Sequence, residues 1–336
     1  MRRAPAASNP HRIRIAILVL GLSGVLAHAA TATETDPFTG RLTPIADSTE
    51  QLDAHVNGKI EALIAGWRFG RDEIRFENEV YRVLGGAYWV DKIERWTRRN
   101  PEVEKLPRPR RGIYTRLPLW SFRVGKLVSL SPTLKLCGEL VGTDKLSHFF
   151  SHGFKYHQRF RRGLTTEEVA RYGPINEGGF YGQTTTGVYS NGDVVSSYEG
   201  FLFYRGLFTD GVVAAKPALL GWKQGRPHLR RRFEWADHVT ELWDEARDPS
   251  RYDSLLWRRL RHRVEALCPE FRQAPELYLP QHEAELLERY AHLGLRSGRE
   301  FRMDVVCATK NLSRDPAPPA PETAPAPPGS PAHRRS

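Results

Sequence analysis

The stretch GTDKLSHFFSHG, residues 142–153, decides the fold and the candidate site of this 336-residue chain. Because side chains four positions apart stack on one helix face, a helix here aligns Asp144, His148 and His152. One carboxylate and two imidazoles are suitable donors for a divalent-metal or acid–base site. The alternatives are an N-terminal helix cap for Asp144 and a polar stripe at the edge of the core for the histidines.

Apolar residues recur at three- and four-residue steps on both sides of this stretch, which predicts amphipathic helices. Helices are predicted at residues 47–67, 72–84, about 89–100, 144–154, 165–173, 190–207 and 281–293, with two more between 230 and 268. Two of them begin with a capping box, at Thr165 and at Ser190. A glycine-rich loop is predicted after Pro174, and residues 127–141 hold the candidate short strands. The predicted fold is mainly α, a single irregular helical domain with at most a few short strands.

The two ends of the chain differ in composition from residues 30–312, the predicted helical domain. Residues 1–29 combine four arginines, a 13-residue apolar run (15–27) and small residues, the layout of a signal peptide. The apolar run is shorter than the roughly 18 residues that span a bilayer, so no transmembrane segment is expected after cleavage. Residues 313–336 are rich in proline and alanine, which predicts a disordered tail. The expected location is therefore the periplasm or the secreted fraction.

Charge and cysteine content fit export. Removing residues 1–29 takes away four arginines and no acid, which lowers the formal charge from +11 to +7. A basic exported protein is suited to cell-wall polymers or anionic envelope lipid, and nucleic acid is an improbable partner. Among three cysteines, we favour a disulfide between Cys268 and Cys307, which flank the same C-terminal helical segment.

The central block, residues 142–208, contains further candidate site residues. Asp193 is a fourth candidate metal ligand, beside Asp144, His148 and His152, and a divalent ion such as zinc is the cofactor these donors would hold. The candidate catalytic residues are Glu177, Glu199 and Lys145, with a glutamate as general base. Helix capping is the alternative for Asp193, and a solvated charge is the alternative for Lys145. A zincin motif is absent, because Phe149 stands where its glutamate would be.

The segment GTDKLSHF, residues 142–149, resembles the D-K-x-x-H-F signature of YfiM-like envelope proteins. The wider block resembles a group of exported proteobacterial proteins in which a GTDK-x-x-HF segment precedes a TTGV-x-S-x-x-D segment, here residues 185–193. This resemblance implies an envelope location and a shared site that contains Asp144, Lys145, His148 and Asp193. It implies no activity.

Two hypotheses for function follow. In the first, an exported envelope protein uses a polar, divalent-metal site for hydrolysis of an envelope component. In the second, the protein is non-catalytic and the same residues form a buried polar network that fixes helix packing. The sequence alone does not decide whether the protein is an enzyme.

Overall fold

The computed structural model describes residues 34–86, 90–107, 112–115, 117, 130–178 and 183–312. Its main constituent is α-helix, and its strands are short, as predicted. The predicted signal peptide (residues 1–29) and proline-rich tail (residues 313–336) lie outside the described residues.

In chain order, the helices are α1 (Thr49–Ala65), α2 (Glu73–Leu84), α3 (Lys92–Arg99), α4 (Asp144–Ser147), α5 (Gly153–Arg161), α6 (Thr166–Gly178), α7 (Gln183–Thr186), α8 (Asn191–Gly206), α9 (Ser254–Glu265), α10 (Cys268–Gln273), α11 (Glu283–Arg289) and α12 (Met303–Leu312). A π-helical turn, His148–His152, joins α4 to α5 without a break.

The strands form two-stranded pairs. They are β1 (Glu34–Thr35), β2 (Leu130–Ser131), β3 (Thr133–Leu136), β4 (Glu139–Gly142), β5 (Val188–Tyr189), β6 (Leu220–Lys223), β7 (Arg226–Leu229) and β8 (Arg251–Tyr252). The pair β1–β2 is parallel, whereas β3–β4, β5–β8 and β6–β7 are antiparallel. The β3–β4 hairpin places Gly142 opposite Thr133 and leads directly into α4.

Local capping signals predicted the starts of several helices correctly. Thr165 and Glu168 exchange the two hydrogen bonds of a capping box at the start of α6. Asp72 accepts from the Arg75 amide at the start of α2, and Ser190 accepts from the Asp193 amide at the start of α8. Each of these bonds satisfies a helix donor within a few residues, which explains why the sequence alone reveals it.

Two predicted segments are wrong. The first helix expected between residues 230 and 253 is replaced by two 3₁₀ turns, Trp235–Asp237 and Glu241–Trp243. The Trp235 amide donates to Asp53 instead of continuing a helix, so a distant partner overrides the local pattern. Helix α6 does not stop at Pro174 but continues to Gly178. Close packing of Gly173 against Tyr156 and Val194 accompanies this continuation.

Helix α8 lies at the centre of the larger of two hydrophobic clusters. Nearly all of its residues are buried, which is the pattern of a helix surrounded by other elements. The second cluster joins α9 to α12 and contains the Cys268–Cys307 disulfide, which confirms the predicted pairing.

Candidate functional site

The candidate site lies where the continuous segment of α4, the π-turn and α5 crosses α8. The crossing is close because both helices have glycine at the contact: a Cβ on Gly200 would lie 1.9 Å from the Phe149 carbonyl oxygen. A Cβ on Gly153 would similarly lie 2.5 Å from the Gly200 backbone. This contact fixes the positions of Lys145 and His148 relative to Asp193. Single π-turns within helices are frequently found at functional sites.

Lys145 is the charge centre of the site. Its side chain is 1% exposed, and its ammonium nitrogen lies 3.0 Å from Asp144, 2.7 Å from Asp193 and 2.9 Å from Glu245. Burial alone would lower the pKa of Lys145, but the three carboxylates raise it well above its ordinary value. Lys145 is therefore a permanent buried cation and not a proton donor or acceptor.

Further hydrogen bonds hold two of these carboxylates in place. Thr35 donates its hydroxyl to Asp144 across 2.9 Å, which connects β1 to the site. Glu245 accepts from the hydroxyls of Ser190 and Ser250. Asp144, Asp193 and Glu245 come from three distant parts of the chain, so the cluster forms only in the folded protein.

His148 is the side chain of the site that reaches towards solvent. Its Nε2 lies 3.5 Å from Asp193 Oδ2, its Nδ1 lies 3.3 Å from the Ser197 hydroxyl, and its side chain is 18% exposed. The ring stacks on His152 with 4.5 Å between centroids. Burial, together with the positive charge of Lys145, lowers the pKa of His148 well below its ordinary value. At neutral pH the ring is therefore a neutral imidazole, able to accept a proton.

Burial raises the pKa of two carboxyl groups of the site. Burial, together with the neighbouring Glu34, raises the pKa of Glu177 to about 8. Burial also raises the pKa of Asp193 well above its ordinary value, although Lys145 opposes this effect. Glu177 accepts a long hydrogen bond, 3.4 Å, from the Ser190 amide, at the start of the helix that carries Asp193. The site thus combines a neutral base with Glu177, a carboxyl group that holds its proton at neutral pH.

The structure brings together most of the predicted site residues, in an arrangement that differs from the expected one. Asp144 contacts Lys145 and Thr35, whereas the two histidines stack on each other and His148 faces Asp193. In contrast to the alignment that the sequence predicts, Asp144 and the two imidazoles therefore do not converge on one point. The N-cap residue of α8 is Ser190, so the side chain of Asp193 does not have the capping role that was its alternative interpretation.

Glu199 belongs to a separate cluster. It accepts from Tyr290 at 2.7 Å and Arg289 at 3.2 Å, and lies 3.1 Å from His238 Nδ1. Six positions separate it from Asp193 on α8, which turns the two carboxylates about 240° apart around the helix axis. The structure therefore places Glu199 with other partners than the Lys145 carboxylates, and its role as a base stays a prediction.

Glu245 and Ser197 are not among the predicted site residues. Glu245 follows a segment with the apolar spacing of an amphipathic helix, but it is buried beside Lys145. Its pairing with a lysine 100 positions earlier leaves no local pattern. Ser197 follows Asp193 by one helical turn, so the predicted helix could have revealed that both face the same neighbour.

No group of three histidine, cysteine or acidic side chains suited to a metal ion occurs among the described residues. The three carboxylates that converge do so on the Lys145 ammonium, and His148 contacts one of them, Asp193. The proposed ligand set of Asp144, His148, His152 and Asp193 remains a prediction that elemental analysis can test.

Comparisons with protein families, curated proteins and solved structures find no match to this chain. Within the described ranges, no helix is both long enough and apolar enough to cross a bilayer.

Glu177 gives the site a pH-dependent stability. The folded protein keeps this proton until about pH 8, whereas an unfolded glutamate releases it near 4.5. Between these values the unfolded state binds fewer protons, so its free energy falls relative to the native state as pH rises. We expect Glu177→Gln to reduce the stability loss between pH 6 and pH 9 by at least about 1.4 kcal/mol, which corresponds to a tenfold change in proton affinity.

Urea unfolding at both pH values measures this difference. The matched control is Glu285→Gln, which removes a charge from an exposed position of α11 and should leave the pH dependence of wild type unchanged. Equal pH dependence in wild type and Glu177→Gln would show that Glu177 ionises normally in the folded protein.

Proposed function

We propose that the chain is an exported protein of the cell envelope. We further propose that Lys145, the carboxyl groups around it and His148 form an acid–base site that hydrolyses an envelope component. One observation carries this proposal: Asp193 is shared between the buried ammonium of Lys145, at 2.7 Å, and the partly exposed imidazole of His148, at 3.5 Å. A buried charge network that ends at an accessible imidazole is suited to proton transfer.

The geometry supports a role for each group. His148, as a neutral imidazole, would accept a proton from water, and Asp193 would stabilise the imidazolium that forms. Glu177, protonated at neutral pH, would supply a proton to the leaving group. Lys145 would act through Asp193, as a positioning residue that fixes the carboxylate orientation. Acid–base hydrolysis needs one group that holds a proton and one group that can accept a proton, and the different environments of Glu177 and His148 would provide these two states.

The proposed location and partner rest on composition. The signal-peptide pattern directs export, and the disulfide between Cys268 and Cys307 is typical of an oxidising compartment. Basic character suits a substrate that carries negative charge, such as anionic lipid or a cell-wall polymer.

The experiment incubates purified protein with lipid and cell-wall fractions and detects released products by mass spectrometry. We expect product from wild type and a loss of at least 100-fold in rate with His148→Gln, the usual scale for a general base. The matched control is His157→Gln, because His157 is a histidine of the same continuous helical segment and lies 3.0 Å from Glu77, outside the site. A parallel incubation with a chelator tests the metal-dependent version. Equal product from both variants, or no product from wild type with any fraction, contradicts hydrolysis at His148.

A non-catalytic role is the second candidate, because Lys145 is almost completely buried and ties together distant segments. Under this alternative, the cluster fixes helix packing and His148→Gln changes only stability. A lower melting temperature with no product from wild type would favour it.

A further inference from the structure

Helix α3 presents a group of cations that its own structure does not neutralise. Lys92, Arg95 and Arg99 are exposed, and among the described residues none of them forms an ion pair with a carboxylate. Lys92 donates instead to the Arg82 carbonyl, and Arg95 donates to the Val90 carbonyl at 3.2 Å. Three exposed cations therefore lie on this eight-residue helix without a carboxylate in salt-bridge contact among the described residues.

Helix stability explains only part of this arrangement, in that Lys92 caps the C-terminal turn of α2 through the Arg82 carbonyl. Cations are favourable in the last turn of a helix, which accounts for Arg98 and Arg99, but Lys92 occupies the first position, where a cation is unfavourable. Arg95 and Arg99 are four positions apart, and like charges at that spacing destabilise a helix. The basic face is therefore better explained by an anionic ligand than by the fold.

Two clefts adjoin the arginines. One, of about 600 Å³, is lined by Lys92, Arg95, Trp96, Arg99, Asn100 and Glu102. The other, of about 270 Å³, is lined by Val90, Arg95, Arg98 and Arg99. Arg95 and Arg99 border both clefts, so each guanidinium is reachable from two sides. Guanidinium groups match phosphate oxygens in a two-bond geometry, which favours phosphate as the recognised group.

Trp96 favours a lipid surface as the source of that phosphate. Its ring is half-buried and stacks on His55 with 3.7 Å between centroids, so its position is fixed. Tryptophan beside basic residues is typical of helices that lie at the headgroup level of a membrane.

The opposite face of α3 is anchored to the segment that carries the site. Glu94 accepts hydrogen bonds from Ser147 and from Ser131, and Asp91 accepts from Ser151 in the π-turn. A ligand on the outer face of α3 would therefore lie one helix away from His148 and His152.

We propose that the outer face of α3, through Arg95, Arg99 and Lys92, binds the phosphate groups of an anionic lipid surface. This inference rests on the envelope location proposed above and is independent of hydrolysis at His148.

The test measures sedimentation of the full chain with vesicles of phosphatidylglycerol and phosphatidylcholine, and with vesicles of phosphatidylcholine alone. We expect binding to the anionic vesicles, and an apparent affinity reduced by roughly 10- to 30-fold in the double variant Arg95→Gln/Arg99→Gln. The matched control is Arg226→Gln/Arg258→Gln, which removes the same charge from exposed positions on β7 and α9. Melting temperatures of both variants verify that they are folded.

Titration with inorganic phosphate distinguishes the sources of the ligand. Phosphate binding that needs Arg95 and Arg99, without vesicle binding, would assign a soluble phosphate ligand and overturn the lipid surface. An equal loss of vesicle affinity in both double variants would contradict a binding site on the outer face of α3. So would the absence of binding to both vesicles and phosphate. Because the vesicle assay depends on Arg95 and Arg99 and the product assay depends on His148, failure of one is distinguishable from failure of the other.

Discussion

Replacement of Lys145 by methionine is expected to destabilise the protein by about 3–5 kcal/mol, the usual result of breaking a buried ion network. Methionine fills a similar volume, so the main change is the loss of the only cation in contact with Asp144, Asp193 and Glu245 among the described residues. Three buried carboxylates would then lie close together without compensation. Urea unfolding at neutral pH measures the loss.

The pH dependence of the variant separates charge from packing. Without Lys145, the positive charge that opposes the effect of burial on Asp193 is lost, so the pKa of this carboxyl rises further and the native variant binds more protons than the unfolded chain. Its stability should therefore increase as pH falls towards 5. Lys59→Met, at an exposed position of α1, is the matched control and should stay close to wild type. If Lys145→Met lowers the free energy of unfolding only slightly, or by the same amount at neutral and at low pH, the carboxyl groups are not organised around the ammonium.

Replacement of Gly200 by alanine is expected to destabilise the protein by about 3 kcal/mol or more. The added methyl would lie 1.9 Å from the Phe149 carbonyl oxygen, and backbone cannot yield as a flexible side chain can. The segment with His148 would have to move away from α8, so contact with Asp193 should be lost as well. Thermal unfolding and the product assay measure these two effects.

Gly58→Ala is the matched control for Gly200→Ala. Gly58 also lies within a helix, α1, but its Cβ position has no atom within 4 Å. Alanine there should stabilise the protein by about 0.5–1 kcal/mol, because it favours the helix and limits the unfolded chain. Similar small effects at both glycines would contradict the close crossing of the two helices.

The sequence predicted those parts of the fold that depend on nearby residues. The starts of α2, α6 and α8 follow from capping side chains within four positions, and the apolar spacing of α1 identifies its buried face. The pairing of Cys268 with Cys307 was also predicted, because both flank one helical segment.

Long-range contacts explain what the sequence did not predict. Residues 235–243 have helical spacing, yet the Trp235 amide bonds to Asp53 and the segment forms 3₁₀ turns. The π-turn at His148–His152 has no signal in the sequence; it forms where Phe149 and Phe150 are both buried against Phe203 and Trp235. Glu245 reaches Lys145 from 100 positions away. The candidate site was therefore located by its residue types, but its geometry was not.

A titration of the His148 ring by ¹⁵N nuclear magnetic resonance tests the account most directly, with His148→Gln used to assign the signal. Burial and Lys145 lower the pKa of this imidazole, so we predict a neutral ring at about pH 6, where most exposed histidines are protonated. We also predict that Asp193→Asn alters the ring signals, because Asp193 Oδ2 lies 3.5 Å from Nε2. A ring that titrates near its ordinary value of 6.5 and does not respond to Asp193→Asn would contradict the proposed base.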